Sequence, residues 1–383
     1  MKRGSTTDIA IVGAGFVGLA VAWALSLKDP NLRITIFDEG DFASGGAGRN
    51  GSGYRLQWSR DFNIHLAKDS LEVFENCESL LDYAGGVELR QIGYLILAHS
   101  PEAMEVLKQS VETQRRFGVP SEILTPSECN GIQPGLRLDG LQGGSFCWMD
   151  GTASPFKWLD ALNRAVLRAG AVVHWRRKVT GITPRNGTYR VSLADGEINA
   201  AKVVICTDWA LPELLEPLGI DLPIAREMKG ALITEAFGRV VNTVLMAKRS
   251  GIGIKQLDRG NVIITRSRGD NFKDYEANAW RNWLTGCASA ATELLPALRD
   301  VAVLRQWDGY ISLTPDMQPA FGETEIKGVY AVVSAYKGFM LSPQLGRIMA
   351  DIVTDGSSDH IAASPLALSR FKSGKLVPEA LTI

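Results

Sequence analysis

The chain has 383 residues, more than one hydrophobic core usually supports, so two domains are expected. Hydrophobic residues make up 45% and charged residues 22%, ordinary values for a globular enzyme, and the net charge of −1 gives no bulk attraction for nucleic acid or another polyanion.

Residues 8–12, "DIAIV", form a short continuous apolar run, the pattern of a buried parallel strand. Residues 13–18 follow as a glycine turn, and residues 19–27 as a helix of small and apolar side chains. This apolar start at residues 9–27 has the look of a signal or membrane segment, but three glycines at fixed spacing and a preceding strand argue against one. No export signal or transmembrane segment is expected. Residues 33–37, "RITIF", read as a second strand ending at Asp38 and Glu39, which completes a βαβ unit. Gly13, Gly15 and Gly18 fit G-x-G-x-x-G. The first permits a tight turn, the second lets a pyrophosphate reach the backbone, and the third lets helix and strand pack closely. Asp38 is placed to accept hydrogen bonds from an adenosine ribose, with Glu39 as the neighbouring alternative. An acid there disfavours a 2′-phosphate, leaving NAD or FAD.

Residues 42–53, "FASGGAGRNGSG", are too rich in glycine for a regular element. A helix is expected over residues 61–83. Beyond Gly85, "VELRQIGYLILA" reads as antiparallel strands, residues 101–117 as a polar helix, and Ser154-Pro155 as the start of a helix followed by a strand. A hairpin then leads to a buried strand at 203–206. Strand-like stretches recur over residues 222–305, and residues 330–353 are again strand, glycine turn and helix. Nucleotide-binding elements thus occur at the start, middle and end, so the two domains are interleaved. Residues 1–85, 140–215 and 305–383 are expected to form the discontinuous cofactor domain, and residues 86–139 and 216–304 the substrate domain.

Five cysteines show no C-x-x-C pair and no partner histidine, so no metal site is expected, and the pattern fits a reducing, cytoplasmic setting. His65, His99, His174 and His360 are scattered. The last turn, "SAYKGFMLSPQLGRIM", leaves a helix N-terminus bare beside one cation. Such a terminus attracts anions or developing negative charge. Lys337 is either a full positive charge at that site or a solvated loop lysine.

The stretch "GAGRNGSGYRLQWS" resembles the loop after the second strand in the D-amino acid oxidase-like FAD oxidoreductases. The branch with sarcosine oxidase β subunits, dye-linked L-proline dehydrogenase β subunits and opine oxidase subunits is the most similar. "QIGYLILA", "MDGTASPFKWLDAL", "LITE", "GYISLTPDMQPAFGE" and "KGFMLSPQLGRIMADIV" extend the likeness over almost the whole chain. It implies an α/β fold: a Rossmann-like FAD-binding domain with an interleaved substrate domain on a large mixed or antiparallel sheet. It maps FAD binding onto Gly13, Gly15, Phe16, Val17, Gly18, Asp38, Glu39, Arg49, Asn50, Gly51, Val179, Thr207 and Trp209. The amides of Gly338, Phe339, Met340 and Leu341 would stabilise negative charge on the pyrimidine side of the reduced ring, with Pro343 in the first helical turn.

The implied chemistry is oxidation of the C–N bond of an amino or imino acid, such as sarcosine, proline or an opine, by hydride transfer to flavin N5. The implied setting is a catalytic β-type subunit of a heteromeric dehydrogenase, with an FMN at a subunit interface and membrane association through partner subunits left open. A stand-alone oxygen-using oxidase and a flavin-binding subunit with little turnover are the alternatives. The sequence also departs from relatives. Ile311 and Met340 stand where some carry an arginine or lysine for the substrate carboxylate. No cysteine lies in "DGYISLTPD", so the FAD is expected to be non-covalent. Asp208 and Tyr336 replace glycines. Arg55, Lys255 and Lys337 remain as cations for the carboxylate.

Overall fold

The computed structural model describes residues 6–268 and 277–382. Strand β1 (Thr6–Val12) runs through a glycine turn into helix α1 (Phe16–Lys28) and back to strand β2 (Ile34–Phe37). β1 is the centre of a mixed sheet. Its parallel neighbours are β2 and the Gly196–Ile205 strand; Val172–His174 lies beyond β2, and Val329–Val333 then Ala320–Glu323 lie beyond Gly196–Ile205. The hairpin Val179–Arg185 and Thr188–Leu193 pairs with the first half of Gly196–Ile205. The central strands are buried on both faces, which is why they read as unbroken apolar runs.

α1 is apolar nearly all round because it is sandwiched between this sheet and the last helix, Gly338–Asp355. The two helices meet closely: a Cβ on Gly346 would lie 2.6 Å from the Ala20 backbone.

The second sheet runs in the order Val303–Leu313, Ala225–Ala236, Asn261–Ser267, Ile252–Gln256, Val244–Ala247, Tyr94–Ala98, Gly143–Cys147, Glu122–Leu124. Every pair is antiparallel except Tyr94–Ala98 with Val244–Ala247. One face carries the helix Ala277–Leu294 and its own apolar core. Gly143–Cys147 and Val303–Leu313 belong to this sheet, although the boundaries expected at residues 140 and 305 put them in the cofactor domain. We propose that the division follows sheet membership, with those boundaries moved just past each strand.

Local structure corrects three expectations. The helix expected over residues 61–83 is two helices, Asp61–Glu75 and Cys77–Leu81. At the break, Asn76 Nδ2 donates to the Glu72 carbonyl, so the side chain competes with the helix ladder. In "VELRQIGYLILA" only Tyr94–Ala98 is a strand, because Gly93 turns the chain at φ +75° just before it. The glycine-rich loop does contain a short 3-10 turn, Gly46–Arg49.

The C-terminal segment is tied to the body by a buried ion pair. Arg370 Nε donates to Asp316 Oδ2 at 2.8 Å, with both side chains almost wholly inaccessible. Burial acts to raise the Asp316 pKa, but the Arg370 hydrogen bonds and charge, with two backbone amides, outweigh it and hold it below the ordinary value. A depressed carboxylate contributes stability that is present above the ordinary carboxylate range and lost as pH falls through the folded pKa. Arg370→Met should therefore cost roughly 3–5 kcal/mol at pH 7, since Asp316 is left buried without its cation. Denaturant unfolding at pH 7 and in acid checks this: the difference from wild type should shrink in acid, and a neutral substitution would contradict it.

Candidate functional site

The parallel strands β1, β2, Gly196–Ile205 and Val329–Val333 all end at one edge of the first sheet. There Gly13, Asp38, Thr207 and Ser334 border a cleft of about 390 Å³. The three glycines of the first turn do three different things. Gly13 sits at φ +102°, and a Cβ on it would lie 2.6 Å from the Cys206 carbonyl oxygen. A Cβ on Gly18 would lie 1.9 Å from the Gly13 carbonyl oxygen. A Cβ on Gly15 would meet nothing within 4 Å, so it would project into open space in the cleft. Asp38 clasps the turn: Oδ2 accepts from the Ala14 amide at 2.8 Å and Oδ1 from the Gly40 amide at 2.9 Å. Burial raises its pKa, opposed by those two amides. Glu39 is exposed and pairs with Lys178 at 2.9 Å. Phe16, Val17, Arg49, Asn50, Val179 and Trp209 line the same cleft. Gly51 borders the adjoining cavity instead, beneath Thr265.

The last turn brings a second helix start to this cleft. Gly338 and Phe339 line it. The helix begins at Gly338. Three amides, of Gly338, Phe339 and Met340, precede the helix ladder; that of Leu341 already donates to the Lys337 carbonyl at 3.0 Å. Leu341 is therefore withdrawn as an amide donor, and its side chain is fully buried. Pro343 is also not in the first turn but inside the helix. It leaves the Phe339 carbonyl without its ladder donor, and the Ser342 hydroxyl donates to that oxygen instead at 3.0 Å.

Three residues near this turn, Asp208, Ala335 and Tyr336, have φ of +53°, +46° and +59°. At Asp208 and Tyr336 the resemblance implies glycine, and the left-handed backbone would explain such a preference. Here Asp208 compensates. Its Oδ1 accepts from the Ser334 amide at 2.9 Å, the Ser334 hydroxyl at 2.7 Å and the Ser312 hydroxyl at 2.8 Å. Ser312 Oγ in turn accepts from the Ala335 amide at 3.1 Å. One carboxylate oxygen thus ties three chain segments into the cleft wall.

A second cavity, of about 220 Å³, meets the first at Gly46, Arg49, Asn50, Tyr310, Ile311 and Tyr336. Its roof is the face of the second sheet away from Ala277–Leu294. Arg55 and Lys255 both line it; Lys337 does not. Arg55 is buried, with its guanidinium 4.0 Å over the Trp58 ring, Nη1 3.7 Å from Met246 Sδ, and Nη2 donating to the Leu381 carbonyl. Lys255 is buried and donates to Ser52 Oγ; burial pushes its pKa down to about 7. Lys337 is neither a solvated loop lysine nor a cavity cation. It is fully buried behind the turn, donates to the Met317 carbonyl, and has its pKa lowered to about 7, chiefly by burial. Ile311 and Met340 present apolar walls to this cavity.

A family model described as FAD dependent oxidoreductase, DAO, matches residues 8–352. This chain belongs to the DAO family of FAD-dependent oxidoreductases. The sarcosine oxidase beta chain of Arthrobacter sp., named as a subunit, is 26% identical over 379 residues, covering 97% of this chain and 93% of that protein. An opine oxidase subunit of Rhizobium meliloti is 23% identical over 361 residues, covering 91% and 94%. The crystal structure of L-proline dehydrogenase from P. horikoshii superposes with a TM-score of 0.88 at 26% identity, covering 98% of this chain and all of that one.

The first cleft fits the FAD of this DAO-family enzyme on its own geometry. Open space at Gly15, the three amides of Gly338–Met340 that lie outside the helix ladder, and the buried Thr207 Oγ1, which has no hydrogen-bond partner among the described residues, all face or adjoin it. Sequence reasoning missed Lys178, Lys229, Ser312 and Ser334. Lys229 had a legible signal: it alternates with Ala231 and Ile233, so a lysine shares a strand face with apolar residues. The serines had none, because hydroxyls that brace a turn carry no spacing.

Two outcomes follow from these contacts. Gly18→Ala should destabilise even the flavin-free protein by roughly 1–3 kcal/mol, because backbone must move. Gly15→Leu should leave flavin-free unfolding unchanged yet yield colourless protein; calorimetry and flavin content on both variants separate the two effects. Lys255 tests a second point. Its folded pKa of about 7 lies below the ordinary 10.5, so the cost of burying it is full below pH 7 and fades as pH rises between those values. Lys255→Met should therefore raise the melting temperature most at pH 7 and below, with the gain shrinking towards pH 10.

Proposed function

We propose that this enzyme oxidises the C–N bond of an amino or imino acid, as the catalytic β-type subunit of a heteromeric dehydrogenase, with its FAD held non-covalently. The observation that carries the substrate class is the second cavity. It opens from the cofactor cleft at Tyr310 and Tyr336, presents basic side chains, and has no Asp or Glu among its described lining residues. Such a cavity attracts a carboxylate and disfavours an ammonium beside it. The names of the sarcosine, opine and L-proline relatives support amino acid chemistry, and the word subunit in two of those names supports partner chains. The absence of a cysteine between Asp308 and Asp316 supports non-covalent binding.

Bound FAD supplies the two-electron acceptor. The protein's part is binding, charge and proton placement. The amides of Gly338, Phe339 and Met340 would present their positive end to the bound ring and stabilise negative charge that collects on it. Arg55 and Lys255 hold the carboxylate. Lys255 Nζ, neutral above about pH 7 in the empty cavity, takes the proton of the incoming ammonium. That single transfer leaves an amine with a free lone pair and a charged lysine beside the carboxylate.

A cytoplasmic location is part of the same proposal: all five cysteines are buried and unpaired, and among the described residues no helix is long and apolar enough to cross a membrane.

Purified protein should be yellow and release FAD in acid. Mixed without air with a panel of primary and secondary amino acids, it should bleach with at least one, and the bleaching rate should rise as pH climbs through about 7, an inflection lost in Lys255→Met. A flavin that no amino or imino acid reduces would overturn the proposal. Rapid peroxide formation on admitting air would replace the dehydrogenase with an oxidase. A monomeric mass in native extracts would remove the heteromeric assembly.

A further inference from the structure

Resting on the carboxylate role proposed above for Arg55, we infer that the C-terminal segment, residues 377–381, is a strap that positions the Arg55 guanidinium for the substrate carboxylate, with Glu379 as the positioning residue. The segment crosses from one half of the molecule to the other. On the cofactor side the Val377 amide donates to Asp316 Oδ2 at 3.1 Å, and the Val377 carbonyl accepts from Gln318 Nε2 at 3.1 Å. The Pro378 carbonyl accepts from Arg60 Nε at 2.9 Å, and the Ala380 amide donates to Ser59 Oγ at 3.1 Å. Leu381 then enters a small apolar cluster with Ile96 and Met246 of the second sheet. Its carbonyl accepts from Arg55 Nη2. Arg55 lines the second cavity, whereas Glu379 and Leu381 are not among its lining residues. The strap therefore grips the guanidinium from behind. Nη1 is left 3.7 Å from Met246 Sδ, a weak acceptor that a carboxylate outcompetes.

Glu379 sets where the Leu381 carbonyl sits. The side chain is buried, and its hydrogen bonds all hold the strap in place. Oε1 accepts from the Ser59 amide at 2.9 Å and from the Leu381 amide at 3.0 Å, and Oε2 accepts from Asn63 Nδ2 at 2.7 Å. One carboxylate thus pins the end of the segment to the start of the Asp61–Glu75 helix. The residue whose amide it fixes is the residue whose carbonyl takes Arg55. Other groups hold the rest of Arg55. Asp150, which feels the Arg55 charge, accepts from the Leu56 amide at 2.5 Å and from Gln57 Nε2 at 2.8 Å, and so fixes the neighbouring backbone. The Trp58 ring lies 4.0 Å from the guanidinium carbon. The strap adds a hydrogen bond at the tip, which sets the direction of the fork. An arginine preset in this way loses less conformational freedom when a carboxylate arrives.

The test uses the flavin-loaded enzyme and two probes of one shape, propionate and propionamide, followed through the flavin spectrum. Glu379→Ala should raise the Kd of propionate roughly 10- to 100-fold, the weight of one charge-assisted hydrogen bond, with flavin content unchanged. Glu379→Gln should restore it. Its carbonyl oxygen can accept from the Ser59 and Leu381 amides, and Asn63 Oδ1, which has no hydrogen-bond partner among the described residues, can turn to its amide. With an amino acid that reduces the flavin, Glu379→Ala should raise Kd and keep the limiting reduction rate. In the wild type, propionate should slow hydrogen exchange at the Leu381 amide, and propionamide should not. An unchanged propionate Kd in Glu379→Ala overturns the strap, as does an equal loss in Glu379→Gln or a parallel loss for propionamide. Unchanged exchange at Leu381 overturns it without any variant. If no amino or imino acid reduces the flavin while propionate binding still depends on Glu379, amine oxidation fails and the strap stands. If the wild type does not bind propionate, the strap falls together with the carboxylate role of Arg55.

Discussion

The approach of two glycines sets the geometry of the whole molecule. The Gly13 carbonyl occupies the space that a Gly18 side chain would need, and Gly13 itself rests on the Cys206 carbonyl. β1, α1 and the Gly196–Ile205 strand can only then sit at backbone-to-backbone distance. The same economy recurs at Gly346 over Ala20, which draws the last helix onto α1. Both helices follow parallel strands of one sheet, so both begin at the same edge. Two sets of helix-start amides therefore converge on a single cleft, one at Gly15 and one at Gly338–Met340. A cofactor with a negative pyrophosphate at one end and an electron-accepting ring at the other matches that pair of positive termini.

The second terminus is held at a cost. Asp208, Ala335 and Tyr336 adopt left-handed backbone without being glycine, which strains each by about 1–2 kcal/mol. The hydrogen bonds of Asp208 Oδ1 to Ser334 and Ser312 offset part of this. They also do what a glycine at that position could not: they lock the last turn to the strand that carries Tyr310 and Ile311, the boundary between the two cavities. The substitution of glycine by aspartate exchanges conformational ease for a fixed wall.

Much of this was legible before the fold was known, and the pattern of success has physical reasons. G-x-G-x-x-G, the apolar strands and the final strand–turn–helix are local and periodic, so β1, α1, β2 and the helix at Gly338 fall near their expected places. Expectations built on long-range contacts fared differently. Nothing about Gly143–Cys147 or Val303–Leu313 in isolation says which of two sheets it will join. Lys337 looked like a loop lysine or a cofactor cation because it stands in a short turn just before a helix start; only the fold shows it aimed backwards at Met317. Asn76 breaks a helix through a side-chain bond that helical periodicity does not register.

The contrast between the two kinds of buried charge shows where the fold is satisfied and where it waits. Asp316 and Arg370 neutralise each other, with backbone amides and carbonyls taking up the remaining hydrogen-bonding capacity. That pair needs nothing from outside. Lys255 is as deeply buried, yet its hydrogen-bond partner, the Ser52 hydroxyl, is neutral. A core selected for stability alone would replace a lysine in that position by an apolar residue, because desolvation without a counter-charge is unfavourable. Local rules broken at a cavity wall mark the place where function outweighs stability. The missing negative charge must then arrive with the ligand, so the binding energy of the substrate includes relief of a cost that folding alone left standing.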